Sequence, residues 1–172
     1  MRRRIRPGQV ETGMSLLEVL VSAFIISILS VSVFQGLTTL EMESRMAKDR
    51  MGASLLAADL REEILSKPSL DPDGRPVLGR EPDESGTNRM SYDDQDDYAG
   101  LIDRPASDIG GNPLSGMERI RREIKVESVS PENPAGPPGL PSPYGLRRFT
   151  VSVYHQNTEL AHLTWLSIGQ PR

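Results

Sequence analysis

The sequence predicts an α+β protein, in which one long N-terminal helix, membrane-spanning in its first half, packs on a small antiparallel sheet. Three features of the 172 residues support this prediction. Residues 14–34 are apolar with a single charge, residues 37–67 continue with helical spacing, and three segments after residue 117 alternate apolar and polar residues as strands do. Because the chain has 15 glycines and 14 prolines, the remainder should be rich in loops.

Composition and charge exclude several classes of protein. The chain has no cysteine, which excludes a disulfide scaffold, a thiolate metal site and a cysteine nucleophile. The formal net charge of −4 argues against nucleic-acid binding. The charge is uneven, since residues 1–13 carry four arginines against one glutamate, whereas residues 69–117 carry eleven acidic and four basic residues. This asymmetry, with the apolar run between, predicts a membrane-inserted protein with its N-terminus in the cytoplasm.

The apolar run is long enough to cross a membrane. A helix of this length rises about 1.5 Å per residue and so spans roughly the 30 Å hydrocarbon core. Its only charge is Glu18, near its start. A carboxylate in such a segment is costly unless it is paired or protonated, so we expect Glu18 to be functional.

The segment GMSLLEV, residues 13–19, resembles the prepilin cleavage and methylation motif of type IV pilins and type II secretion pseudopilins. The resemblance implies that prepilin peptidase cuts between Gly13 and Met14 and methylates the new N-terminus of Met14. Glu18 then takes the fifth mature position, where the family has its glutamate. The sequence departs from the family at Met14, where phenylalanine is usual, and at Gln35-Gly36, where a proline is frequent.

The same resemblance gives Glu18 a role in assembly. After cleavage the cationic amine of Met14 lies beside or inside lipid, where the Glu18 carboxylate of a neighbouring subunit attracts it far more strongly than in water. Such a pair would fix the axial register of subunits in a filament. The implied partners are prepilin peptidase, other pilins or pseudopilins and an inner-membrane assembly platform, while the net charge already argues against nucleic acid. The implied location is the inner membrane, crossed once, with a cytoplasmic N-terminus and a periplasmic head domain.

We therefore expect a structural subunit, a minor pseudopilin of a type II secretion pseudopilus, and no enzyme. A minor pilin of a type IV pilus and a non-polymerising, membrane-anchored periplasmic binding module are the alternatives. No serine, histidine and aspartate have the context of a hydrolase, and no glycine-rich loop follows a strand to bind phosphate. The two histidines, His155 and His162, form a poor metal site without a carboxylate partner.

Five segments follow from these patterns. They are a cleaved leader (1–13), the membrane and polymerisation half of the helix (14–36), its amphipathic half (37–67), an acidic variable loop region (68–117) and the sheet head (118–172) with a Pro/Gly-rich loop at 131–145. In the amphipathic half, spacings of three and four predict a core-facing stripe of Leu37, Leu40, Ala47, Met51, Leu55 and Ala58. The helix should end before Pro68.

The acidic loop region contains the most concentrated charge of the chain, in the segment YDDQDDY, residues 92–98. Ca²⁺ takes oxygen ligands from flexible loops, which makes it a candidate cofactor, although the spacing of an EF-hand is absent. The favoured alternative is a solvated loop in which Tyr92 and Tyr98 pack inward while the aspartates face water. The candidate calcium ligands are Asp93, Asp94, Asp96, Asp97, Asp103 and Asp108.

Three strands are predicted in the head, over residues 118–129, 147–155 and 159–167. Alternation places Phe149, Val151 and Val153 on one face of the second strand, and Ala161, Leu163 and Trp165 on one face of the third. Only Gln156, Asn157 and Thr158 separate these two strands, which predicts a hairpin.

Overall fold

The computed structural model describes residues 14–72, 79–81, 84, 88–140 and 145–169. The predicted leader, residues 1–13 with Gly13, lies outside the described residues. In chain order the elements are helix α1 (Leu16–Leu65), two short 3₁₀ turns (Arg89–Ser91 and Asp96–Tyr98) and the strands β1 (Ile102–Asp103), β2 (Ile120–Val129), β3 (Gly145–His155) and β4 (Thr158–Gly169). The chain divides within α1 into two compact units, the first ending at Met46 and the second beginning at Ala47.

The first unit consists of the N-terminal part of α1, which is long and apolar enough to cross a membrane. Its apolar side chains contact little within the chain and are exposed. The hydroxyls of Ser27, Ser30 and Ser32 donate to the carbonyls four residues earlier, at 2.8–3.0 Å. Because these bonds satisfy the hydroxyls within the helix itself, the serines are compatible with an apolar surrounding.

The second unit contains a four-stranded antiparallel sheet in the order β1-β2-β3-β4. Val151 at its centre lies opposite Ile124 of β2 and Leu163 of β4. Residues 156 and 157 alone turn β3 into β4, and Gln156 adopts a left-handed conformation with φ of 57°. The three predicted strands and the hairpin are thus confirmed, whereas the two-residue strand β1 was not predicted.

The hydrophobic core lies between the second half of α1 and one face of the sheet. From the sheet come the predicted inward-facing residues Phe149, Val151 and Val153, all fully buried. The ring of Trp165 stacks on Phe149 with the centroids 5.3 Å apart. From α1 come Ala53, Ala57, Leu60 and Ile64.

The predicted core stripe of α1 is wrong. Met51 and Leu55 are 68% and 63% exposed, as Leu37, Leu40 and Ala47 also are, and Ala58 is half-buried. At 3.6 residues per turn Met51 and Ala53 point about 200° apart, so the buried face is the opposite one. Large apolar residues suggested the stripe, whereas the sheet contacts the face whose alanines permit a close approach. The helix ends at Leu65, which confirms the predicted end before Pro68.

This packing predicts that Ala57→Leu destabilises the protein, because the added methyl groups have no space between α1 and the sheet. We expect a loss of about 1–3 kcal/mol in the free energy of unfolding, measured by thermal denaturation of the full chain in detergent. The control Ala47→Leu, at an exposed position of the same helix, should change it by less than about 0.5 kcal/mol. Equal stability of the two variants would contradict the assigned helix face.

Candidate functional site

Two groups of residues combine unusual charge with a defined position, namely the start of α1 and the acidic segment 92–98. At the start of α1, Met14 is exposed and Glu18 lies in the first helical turn. The backbone N–H of Glu18 donates to Oγ of Ser15 at 3.3 Å. Ser15 and Glu18 have the spacing of a capping box, a signal present in the sequence that our prediction overlooked. The bond observed is the Ser15 half of such a box, which uses the backbone N–H of Glu18.

The charge of Glu18 is isolated on an apolar surface. The next charged residue along the chain is Glu41, and apart from Ser15 and Ser22 the side chains within one turn of Glu18 are apolar and exposed. Within the described residues, the Glu18 carboxylate forms no ion pair. If this part of α1 lies in lipid, the cation that neutralises Glu18 comes from outside the described residues.

The acidic segment is folded into the second unit. Tyr92 and Tyr98 pack inward, as predicted, with their rings edge to face and the centroids 5.0 Å apart. The expectation that the aspartates face water is wrong for Asp94, Asp96 and Asp97, which are buried beside them. Their burial is tolerated because each carboxylate has hydrogen-bond donors within reach.

Two of these carboxylates fold their own segment. Asp94 Oδ1 accepts the backbone N–H of Asp96 at 2.6 Å and that of Asp97 at 3.2 Å. In return, Asp97 Oδ2 accepts the backbone N–H of Asp93 at 2.9 Å and that of Asp94 at 3.0 Å. Such reciprocal bonds replace the hydrogen bonds of regular secondary structure and explain why consecutive aspartates form a compact turn.

The neighbouring residues attach the turn to the rest of the unit. Asp96 pairs with the fully buried Arg147 of β3, which also donates to the carbonyl of Ser69 after α1. The Gln95 amide donates to the carbonyl of Lys67 at 3.0 Å and accepts from the Ser167 hydroxyl at 2.8 Å. The acidic segment thus joins the end of α1 to β3 and β4.

A second buried network holds α1 to the same segment. Arg89 binds both carboxylate oxygens of Glu63, at 2.7 and 3.1 Å, and the Tyr98 hydroxyl donates to Glu63 at 2.9 Å. Arg89 also donates to Ser107 Oγ at 3.0 Å. No sequence pattern indicates this network, since Glu63 lies on a helix and its partners lie 26 and 35 residues away.

The remaining predicted calcium ligands lie apart from the turn. Asp103 on β1 pairs with the buried Arg122 of β2 at 2.8 Å. Asp108 is exposed and accepts the backbone N–H of Asn112 at 2.8 Å. The six aspartates therefore do not form a single cation site.

A different carboxylate group has the geometry to hold a cation. Oxygens of Glu81, Glu84 and Asp97 all lie within 4.8 Å of one another. Burial and a hydrogen bond to Glu84 raise the pKa of Asp97 to about 7, while a hydrogen bond to Glu84 and burial raise that of Glu81 to about 7. Burial, with the charges of Asp96 and Asp97, raises the pKa of Asp94 to about 8. Carboxylate oxygens are the ligands that Ca²⁺ prefers, so this group is where the calcium hypothesis now applies.

The histidines occupy separate places. His155 lines a cavity of about 360 Å³ between α1 and the start of β2. His162 is exposed, with Nδ1 2.9 Å from Oε1 of Glu159, and lies opposite Ser152 in the sheet.

Comparisons with protein-family models, with curated proteins and with solved structures find no match to this chain.

The Glu63 network predicts a large difference between two adjacent glutamates. Glu63→Ala leaves Arg89 buried without its main counter-charge and should lower the free energy of unfolding by about 3–5 kcal/mol. Glu62→Ala removes only an exposed contact with Arg61 and should cost less than about 1 kcal/mol. Chemical denaturation of both variants in detergent checks this, and similar losses would refute the assigned role of Glu63.

The raised carboxyl pKa values predict that stability falls with rising pH. Below the ordinary carboxyl pKa, the folded and unfolded chains hold the same protons. Between pH 4 and about 8 the unfolded chain loses protons that folded Glu81, Asp94 and Asp97 retain, so the free energy of unfolding decreases. Thermal unfolding across this pH range, in the presence of a metal chelator, measures how steeply the free energy of unfolding falls with pH. Glu81→Gln should make this dependence less steep, whereas the exposed control Glu62→Gln should leave it unchanged.

The same thermal unfolding, carried out with Ca²⁺ in place of the chelator, tests calcium binding. If Ca²⁺ binds Glu81, Glu84 and Asp97, it stabilises the folded chain at pH 8 by about 2.7 kcal/mol at a concentration 100 times its Kd. Asp97→Asn should abolish this gain. An unchanged melting temperature in Ca²⁺ would contradict calcium binding by this group.

Proposed function

We propose that this chain is a structural subunit, a minor pseudopilin of a type II secretion pseudopilus. It is processed by prepilin peptidase between Gly13 and Met14, methylated at Met14, and assembled through α1 with other pilins or pseudopilins on an inner-membrane platform. The observation that carries the proposal is Glu18, the one charge at the start of an exposed apolar helix.

The energetic argument concerns the partner of Glu18. A membrane carboxylate without a counter-charge is costly, and the described part of the chain supplies none. Cleavage before Met14 creates an amine four residues from Glu18. In a neighbouring subunit displaced along the helix axis, that amine neutralises Glu18, and the attraction is strong because lipid screens charge weakly. The pair therefore favours the correctly staggered assembly over the free subunit.

In this proposal the two units have different roles. The apolar part of α1 inserts in the inner membrane, with the basic residues of 1–13 in the cytoplasm and the sheet head in the periplasm. The head consists of one helix face against a small antiparallel sheet, which is the layout that a pilin-like subunit is expected to have. A filament subunit of this kind transmits force by packing, and its activity is assembly.

Processing is tested by the intact mass of the full chain co-expressed with a prepilin peptidase. We expect loss of residues 1–13, with a methyl group added at Met14, and an uncut chain for Gly13→Leu. An uncut wild-type chain would refute the proposal and favour a membrane-anchored periplasmic binding module. Loss of protein export on deletion assigns the secretion system, whereas loss of twitching or DNA uptake assigns a type IV pilus.

Two variants separate the charge of Glu18 from its place in the capping box. Glu18→Gln retains a residue suited to the box but removes the charge, while Ser15→Ala removes the cap and keeps the charge. We expect Glu18→Gln to be cut but absent from sheared filaments or cross-linked assemblies, and Ser15→Ala to be incorporated. The reverse result would reduce Glu18 to a helix-start residue and contradict the proposed role.

A further inference from the structure

The second unit contains a cavity at the end of the sheet where β2 begins. It has a volume of about 360 Å³ and lies between α1 and residues 116–120, with His155 of β3 and Leu160 of β4 among its lining residues. Every lining residue belongs to the second unit. Pockets for small ligands have volumes of roughly 300–1,000 Å³, so this cavity is large enough for a compact molecule.

Two local features widen the cavity. Gly52 of α1 lines it, and a Cβ atom added at this glycine would meet nothing within 4 Å. Packing therefore does not require a glycine here, although a glycine inside a helix costs stability relative to alanine. In the sheet, the register between β3 and β4 shifts at Val153 and Tyr154, so that Leu160 is a bulged residue without a partner on β3.

The inner surface of the cavity is apolar. Ala53 is buried, and Leu56, Ile120 and Leu160 are half-buried. Among the half-buried lining residues, His155 alone has a polar ring that both donates and accepts hydrogen bonds. The interior therefore favours an apolar group of a ligand.

Charged residues of both signs surround the mouth of the cavity. Lys48 and Asp49 of α1 and Glu118 and Arg119 of the loop before β2 are all exposed. Within the described part of the chain, the side chains of Lys48, Asp49 and Arg119 form no ion pair or hydrogen bond. Glu118 accepts the backbone N–H of Gly116 at 3.1 Å. Both signs of charge thus remain available to a ligand at the mouth.

We propose that this cavity binds a small zwitterion with an apolar body, the chemical class of the apolar α-amino acids. The ligand carboxylate pairs with Lys48 and Arg119, since a guanidinium can donate two parallel hydrogen bonds to a carboxylate. The ligand ammonium group pairs with Asp49, and its apolar side chain lies against the inner surface.

The charges at the mouth favour a zwitterion over simpler ligands. A simple anion would lie close to Asp49, and a simple cation would lie close to Lys48 and Arg119. A polar side chain on the ligand is disfavoured, because the apolar inner surface offers it few hydrogen-bond partners. This binding site does not depend on the proposed role of α1 in assembly.

The two histidines of the chain allow a direct test in the full protein. The full chain in detergent micelles is titrated with leucine while the ring proton signals of the histidines are followed by NMR. His155→Gln assigns the signals of His155, and His162, which is exposed and outside the lining, serves as internal control. Two leucine analogues are titrated in parallel, namely isocaproate, which lacks the ammonium group, and isoamylamine, which lacks the carboxylate.

We expect leucine to cause a saturable shift of the His155 signals and no shift of the His162 signals. Isocaproate and isoamylamine should bind at least about tenfold more weakly, because each lacks one of the two charge-assisted contacts. Absence of a saturable shift up to the solubility limit of leucine overturns the proposal. Equal binding of leucine and either analogue also overturns it, because the ligand then need not be a zwitterion.

Matched variants locate the binding in the cavity. Gly52→Leu should fill the cavity and abolish leucine binding, while the helix is retained because leucine has a higher helix propensity than glycine. Ala47→Leu adds the same side chain at an exposed position outside the lining and should bind leucine as the wild type does. Arg119→Gln should weaken binding about tenfold, whereas Arg50→Gln, exposed on α1 and outside the lining, should not. Unchanged binding by Gly52→Leu or by Arg119→Gln contradicts the assigned site.

Discussion

The fold of the second unit depends on the neutralisation of buried arginines. Arg89, Arg122 and Arg147 are almost inaccessible to water, and each meets a carboxylate, from Glu63, Asp103 and Asp96 respectively. In a chain without cysteine these ion pairs connect the long loop region to the helix and the sheet. Buried ion pairs of this kind add little stability compared with apolar packing, but removal of one partner strongly lowers the free energy of unfolding because the other charge is left buried. They fix which loop conformation the unit adopts.

The features that could be predicted from the sequence are those that a local residue pattern determines. Alternation in 147–155 and 159–167, with two turn residues between, was sufficient for the hairpin, and Pro68 for the end of α1. The helix face could not be predicted, because Met51 and Leu55 dominate the periodicity while the sheet contacts Ala53 and Ala57.

The candidate sites also differ in how far the sequence alone reveals them. Glu18 is evident from the sequence, because its isolation in an apolar run depends only on its neighbours. The burial of Asp96 depends on Arg147, 51 residues away, so that YDDQDDY alone resembles a solvated loop. Glu81 and Glu84 lie more than ten residues before Asp97, and no local spacing indicates that their carboxylate oxygens meet. The proposed filament role thus rests on sequence and local structure, whereas the calcium hypothesis rests on tertiary structure.

The separation between Asp96 and Arg147 has a consequence for the order of folding. Because the acidic segment precedes β3 in the chain, it is synthesised first, and its carboxylates remain hydrated until Arg147 is available. The β3–β4 hairpin closes through two residues and can form rapidly, whereas the ion pair between Asp96 and Arg147 joins residues 51 positions apart. The second unit therefore completes its folding at the acidic turn, which stays open until β3 has formed. Folding of this turn thus reports that the C-terminal strands are in place.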